Sequence, residues 1–158
     1  MNDYLLTLIQ KYKQKGLLID TNIVLLYVVG SFNPLLIREF SRTAMFDEND
    51  FYRISKFIGY FELKITTPHI LTEVSDLIGN REFIQLALKT YIETSKEYFS
   101  KSVNVCKNKS FLNFGLADTA ISESAKDSYL VVTNDNKLFG YLSNQKIDVI
   151  NLEQIRMV

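Results

Sequence analysis

The chain of 158 residues has one cysteine, one histidine and no tryptophan, and its 18 lysines and arginines are balanced by 18 aspartates and glutamates. Each scarcity excludes something. A lone Cys106 cannot form an internal disulfide and fits a reducing compartment; no basic segment followed by an uninterrupted apolar one opens the chain, so the cytoplasm is the expected location. A lone His69 cannot build a zinc site or supply the paired acid and base that histidines provide near neutrality, and it reads as a residue at the start of a helix. A formal charge of zero leaves no overall basic field, so any polyanion must be held locally. The apolar stretch 17–29 is interrupted by Asp20 and Asn22 and is too short to cross a bilayer, so no membrane partner is expected.

What is present is a composition 47% hydrophobic, ordinary for a folded chain, with no internal repeat, low-complexity stretch or linker. One domain over 1–158 is expected. Tyr4, Leu5, Leu8, Ile9 and Tyr12 recur at helical spacing and predict an amphipathic lead-in helix within 1–16, its end complemented by Lys11, Lys13 and Lys15. The run 17–19 reads as a strand buried on both faces, followed by a helix over 23–29 that stops at Gly30. Asn33-Pro34 predicts a second helix to about 40–44, and a third begins near Asp50. A strand at 63–66 leads through Thr67-Pro68-His69 into a helix carrying Ile70, Leu71, Val74 and Leu77 inward, with Glu73 at the edge of that face. Asn80 is read as the cap of one long helix reaching about 103. A glycine turn at Gly115 opens a helix to about 126, a strand covers 129–132, a short helix 137–142, and a last strand 147–150.

Strands alternating with helices imply an α/β fold: a three-layer α/β/α domain around a mostly parallel sheet of four to five strands, with all strand carboxyl ends on one rim. Asp20 and Asp135, each ending a buried strand, then share that rim. Asp118 near a helix start and Glu73 can lean over it. Carboxylates gathered in a partly buried cleft repel one another until protonation or a cation relieves them, and oxygen-only donors favour Mg²⁺ or Mn²⁺. Lys101, Lys107 and Lys109, near Tyr98, Phe99 and Phe111, are the nearest thing to a basic patch.

Leu-Ile-Asp-Thr-Asn at 18–22, a glutamate on the helix after the second strand, Leu-Ala-Asp at 116–118 and Val-Thr-Asn-Asp at 132–135 together resemble the PIN-domain nucleases, over residues 17–152. That resemblance implies a metal site formed by Asp20, Glu73, Asp118 and Asp135, with Asn22 and Thr133 as supporting polar residues. It also implies metal-dependent cleavage of single-stranded RNA and, as in many members, a toxin role with an antitoxin protein as partner; a homodimer is a further candidate assembly. Flexible single-stranded RNA suits a chain without a wide basic face, with Lys101, Lys107 and Lys109 as its candidate binding residues. The chain departs from compact toxin members in the 16 residues before the first strand and in the long stretch between Asn22 and Glu73. Asp76, three residues on, competes for the place of Glu73.

Two other readings use the same residues. The haloacid-dehalogenase-like phosphatases also begin with an aspartate ending a first strand, yet they need a second acid two residues later, where this chain has Asn22. A PIN-like fold used only for binding or assembly is the other, and the presence of all four acids argues against it.

Overall fold

Leu17–Ile19 (β1) is an apolar triplet without solvent access, and each side of it is paired in parallel. Leu17 and Leu18 stand beside Lys64 and Ile65 of Lys64–Thr66 (β2); on the other side Leu17, Leu18 and Ile19 stand beside Leu130, Val131 and Val132 of Leu130–Thr133 (β4). The two-residue strand Lys96–Glu97 (β3) adds to β2, and Val149–Asn151 (β5) adds to β4, giving one all-parallel sheet in the order β3-β2-β1-β4-β5. A computed structural model supplies these coordinates and describes residues 3–157; the ends of the expected domain, residues 1, 2 and 158, lie outside the described residues.

The parallel strands on either side of β1 are joined by crossovers, and the right hand usual for such connections puts the helices on opposite faces, which is the three-layer α/β/α arrangement the alternating pattern implies. Thr21–Phe32 (α2) is apolar on nearly every side, as a helix must be when neighbours surround it. It packs against Glu48–Ile58 (α3), Pro68–Ile78 (α4) and Glu82–Glu93 (α5). Phe111–Ala125 (α7) and Asn136–Asn144 (α8) pack on β4. Asp3–Tyr12 (α1) buries Leu5, Leu8, Ile9 and Tyr12, and is tied to the start of β5 by Asp148, which accepts from Lys11 Nζ at 2.7 Å and from the Tyr12 hydroxyl at 2.8 Å. The short helices Ser102–Val105 (α6) and Leu152–Arg156 (α9) complete the chain; α9 is fastened to α3 by a bidentate pair, Arg156 Nε to Asp50 Oδ1 at 2.8 Å and Nη2 to Oδ2 at 2.6 Å. Among the described residues no helix is long and apolar enough to cross a membrane.

Four local expectations are corrected. Helix α2 runs through Gly30 to Phe32, because the Phe51 ring lies against Gly30 where a side chain would stand: a Cβ there would be 2.3 Å from Phe51 Cδ2. The helix expected over 33–44 is a 3-10 turn, Pro34–Leu36, followed by further turns; the Thr43 hydroxyl, bonded to the Ile37 carbonyl at 2.7 Å, draws the chain out of helical continuation. The long helix expected from Asn80 to about 103 begins at Glu82, after Arg81, whose side chain makes no capping hydrogen bond and donates from Nη1 to the Ile78 carbonyl at 2.9 Å instead. It ends at Glu93, where Ser95 Oγ bonds the Tyr91 carbonyl at 2.6 Å, and the chain then pairs as β3. On α4 the buried stripe is Ile70, Val74 and Ile78, with Leu71 and Leu77 only half-buried.

Candidate active site

β1 and β4 are neighbours at the point where the sheet grows in two directions, β2 and β3 on one side and β5 on the other. In open parallel sheets the crevice beyond the strand ends at such a point is where ligands sit. Both strands end in an aspartate that starts a helix. Asp20 caps α2, its Oδ1 accepting the Thr21 N–H at 2.6 Å. Asp135 caps α8, its Oδ1 accepting from the N–H groups of Lys137 at 2.7 Å and Leu138 at 3.0 Å. Thr133 joins the two: its hydroxyl donates to Asp20 Oδ2 at 2.6 Å and accepts the Asp135 N–H at 2.9 Å. Asn22 is half-buried in the first turn of α2.

Capping alone needs no burial, since caps work at the surface. Asp20 is only 3% exposed, and its carboxyl is pushed up to about 6, first by burial and then by the charges of Asp135 and Glu73; the Thr133 and Thr21 hydrogen bonds pull the other way. Asp118 follows Gly115, whose φ of 77° and ψ of −171° break α7 and start its second part. The Asp118 carboxyl is pushed up to about 7 by burial and by Asp20, Asp135 and Glu73, with Lys137 opposing. Glu73, exposed on α4, reaches the same place, its Oε2 accepting the Thr21 hydroxyl at 3.2 Å. The structure thus brings Asp20, Glu73, Asp118 and Asp135 within electrostatic reach of one another. Glu73, rather than Asp76, is the helix acid that acts on Asp20 and Asp118. Among the described residues none of the four carboxylates forms an ion pair with lysine or arginine.

A cleft of about 1020 Å³ opens beside this cluster, with Glu73, Asp76 and Asp118 on it together with Lys101, Phe99 and Phe114. Of the three lysines singled out in the sequence, only Lys101 lines it; Lys107 and Lys109 are exposed on the connection between α6 and α7. Tyr98 packs edge-on against Tyr129 and Phe111 is half-buried, so the cleft's aromatic surfaces are Phe99, 70% exposed, and Phe114. His69 also lines the cleft, its Nε2 sharing a 2.9 Å hydrogen bond with Ser102 Oγ that ties the start of α4 to α6. Lys137 was missed in the sequence because a lysine inside a short helical pattern carries no signal of its own.

In donor type and charge the site fits a hard divalent cation: carboxylate and hydroxyl oxygens, partly buried, without a paired cation. In spacing the side chains do not close around one, for among the described residues no group of three or more histidine, cysteine, aspartate or glutamate side chains could hold a metal ion as placed. No family model matches the chain, and no curated protein matches it.

Proposed function

We propose that this chain is a Mg²⁺- or Mn²⁺-dependent endoribonuclease of the PIN type, hydrolysing single-stranded RNA in the cytoplasm. The observation that carries the reading is the Asp20 carboxylate, almost without solvent access, fixed by two hydrogen bonds and surrounded by acids instead of cations. A buried charge is ordinarily paired, and leaving one unpaired costs several kcal/mol, roughly 3–5 when a partner is missing. A fold that sustains this arrangement has a use for a cation there. Bound at the site, Mg²⁺ or Mn²⁺ would activate water and stabilise the leaving oxygen of a phosphodiester. Asp20, Glu73, Asp118 and Asp135 would hold it, while Thr133 fixes the Asp20 carboxylate and the backbone of Asp135 together. Phe99 and Phe114 present faces on which bases can stack, and Lys101 presents a charge to the phosphates. Lys107 and Lys109 stay in the proposal as outlying contacts. An antitoxin protein as partner, and a second copy of the chain, belong to the same reading.

The product termini test it. A labelled single-stranded RNA incubated with the protein and Mn²⁺ should yield 3′-hydroxyl and 5′-phosphate ends, and a chelator should stop the reaction. A 2′,3′-cyclic phosphate would show attack by the RNA's own 2′-hydroxyl, for which this chain, with His69 as its single histidine, has no acid–base pair. A second reading, a PIN-like module that binds or assembles without cutting, is favoured by the acids not closing around an ion among the described residues. RNA bound in Mn²⁺ and left intact would select it.

A further inference from the structure

Lys137 stands where local helix physics disfavours it. It is the second residue of α8, two after the Asp135 cap, and a cation at a helix N-terminus meets the positive end of the helix dipole. Departures from local preference of this kind gather at functional sites. The side chain is exposed, yet it is anchored beside the cleft. Its Nζ donates to the Asn113 carbonyl at 3.0 Å and lies 4.9 Å from the centre of the ring of Phe114, a residue that lines the cleft. It acts on Asp118 electrostatically, yet forms no ion pair with any of the acids among the described residues, so two of its three N–H donors have no protein acceptor.

Four carboxylates with one divalent ion still leave an excess of negative charge, which repels an approaching phosphate. Something positive must stand beside them. We infer that Lys137 is a substrate-binding residue that holds a backbone phosphate of the RNA at the Asp118 side of the cleft, an inference that rests on the ribonuclease reading above. Its tether to Asn113 and Phe114 fixes where that phosphate lies, and Lys101 takes a second phosphate on the Ser102 side. Phosphate is read as charge, so the contact raises affinity for every sequence alike.

The test separates charge from tether. Lys137→Gln keeps an amide donor for the Asn113 carbonyl and removes the charge; Lys137→Arg keeps the charge. Binding of a fluorescein-labelled single-stranded RNA is followed by anisotropy across a salt series, with Ca²⁺ replacing Mn²⁺ to suppress cutting. Cleavage in Mn²⁺ is followed in parallel. Lys137→Gln should weaken binding about tenfold at low salt and flatten the slope of log affinity against log salt by about 0.7, one phosphate contact on a single strand. In cleavage KM should rise more than kcat falls. Lys137→Arg should retain most of the affinity, and Lys89→Gln, on the exposed face of α5, should change nothing. A wild-type protein that binds and cuts RNA while Lys137→Gln keeps the wild-type affinity and salt slope overturns the inference and leaves the ribonuclease reading standing. A wild-type protein that neither binds nor cuts overturns both.

Discussion

Two sets of aspartates in this molecule obey opposite rules. Asp50 and Asp148 are held below the ordinary carboxylate value despite partial burial: Arg156 grips Asp50 at both oxygens, and Lys11 and Tyr12 share Asp148. Both fasten a terminal helix to the rest of the chain. Asp20 and Asp118 are pushed up to about 6 and about 7 by burial and by the acids around them, and no ion pair relieves either among the described residues. The first set adds stability near neutral pH and the second subtracts it. The helpful carboxylates are explained by what they fasten; on the ribonuclease reading, the costly ones are explained by the cation they would hold.

The sharpest way to break the comparison is to neutralise one member of the costly set. Asp20→Asn should lower RNA cleavage by at least about 10³-fold, about 4 kcal/mol of barrier, while melting no lower than the wild type at pH 8. Full activity in this variant would show that the buried acid is only a cap. The converse change is Arg156→Met, which leaves Asp50, 2% exposed, without its main partner. It should cost about 3 kcal/mol in urea unfolding, at the low end for a broken buried pair because the Asp47 N–H still reaches Asp50 at 3.1 Å. A loss under about 1 kcal/mol would place the pair among ordinary surface bridges.

Changing pH separates the two sets without mutation. The folded-state values of Asp20 and Asp118 lie above those of an unfolded chain, so the stability they contribute is full below about pH 4 and is lost as pH rises through 6 and 7. Metal-free protein should therefore lose about 1–3 kcal/mol between pH 5 and pH 8, and added Mn²⁺ should restore it at pH 8. Asp50 and Asp148, with lowered values, are already ionised at pH 5 and add nothing to this change; their contribution fades only on acidification through their folded values. Thermal melts flat from pH 5 to 8 would remove the distinction.

The central strands were legible in the sequence because Leu17–Ile19 and Leu130–Thr133 are buried throughout and end in acids, a signal that needs no partner to be seen. β3 was hidden for the opposite reason: Lys96 and Glu97 are both exposed, and two residues make no pattern. The helix expected over 33–44 failed at one hydroxyl, Thr43, whose bond across six residues to Ile37 has no trace in the spacing of apolar side chains. Within the site, the strand-end acids and Thr133 were readable from their flanking residues. The choice of Glu73 over Asp76 was not, since both lie on α4 and only the approach of Thr21 separates them. The aromatic pair of the cleft was half-visible: Phe99 lies among the residues read as a basic patch, whereas Phe114 belongs to a wall set by the break at Gly115.

β1 lies near the start of the chain, and the strand that completes its pairing on the site side comes near the end. The hydroxyl of Thr133 that fixes Asp20 is 113 residues away in sequence. During synthesis at about 5–20 residues per second, roughly 6–23 s separate the appearance of Asp20 from that of Thr133 and Asp135. Until then Asp20 has neither its hydroxyl partner nor Asp135, and β1 lacks one of its neighbours. On the ribonuclease reading, a nascent chain that already carries Asp20 cannot cut RNA until the segment bearing Thr133 and Asp135 has also been made.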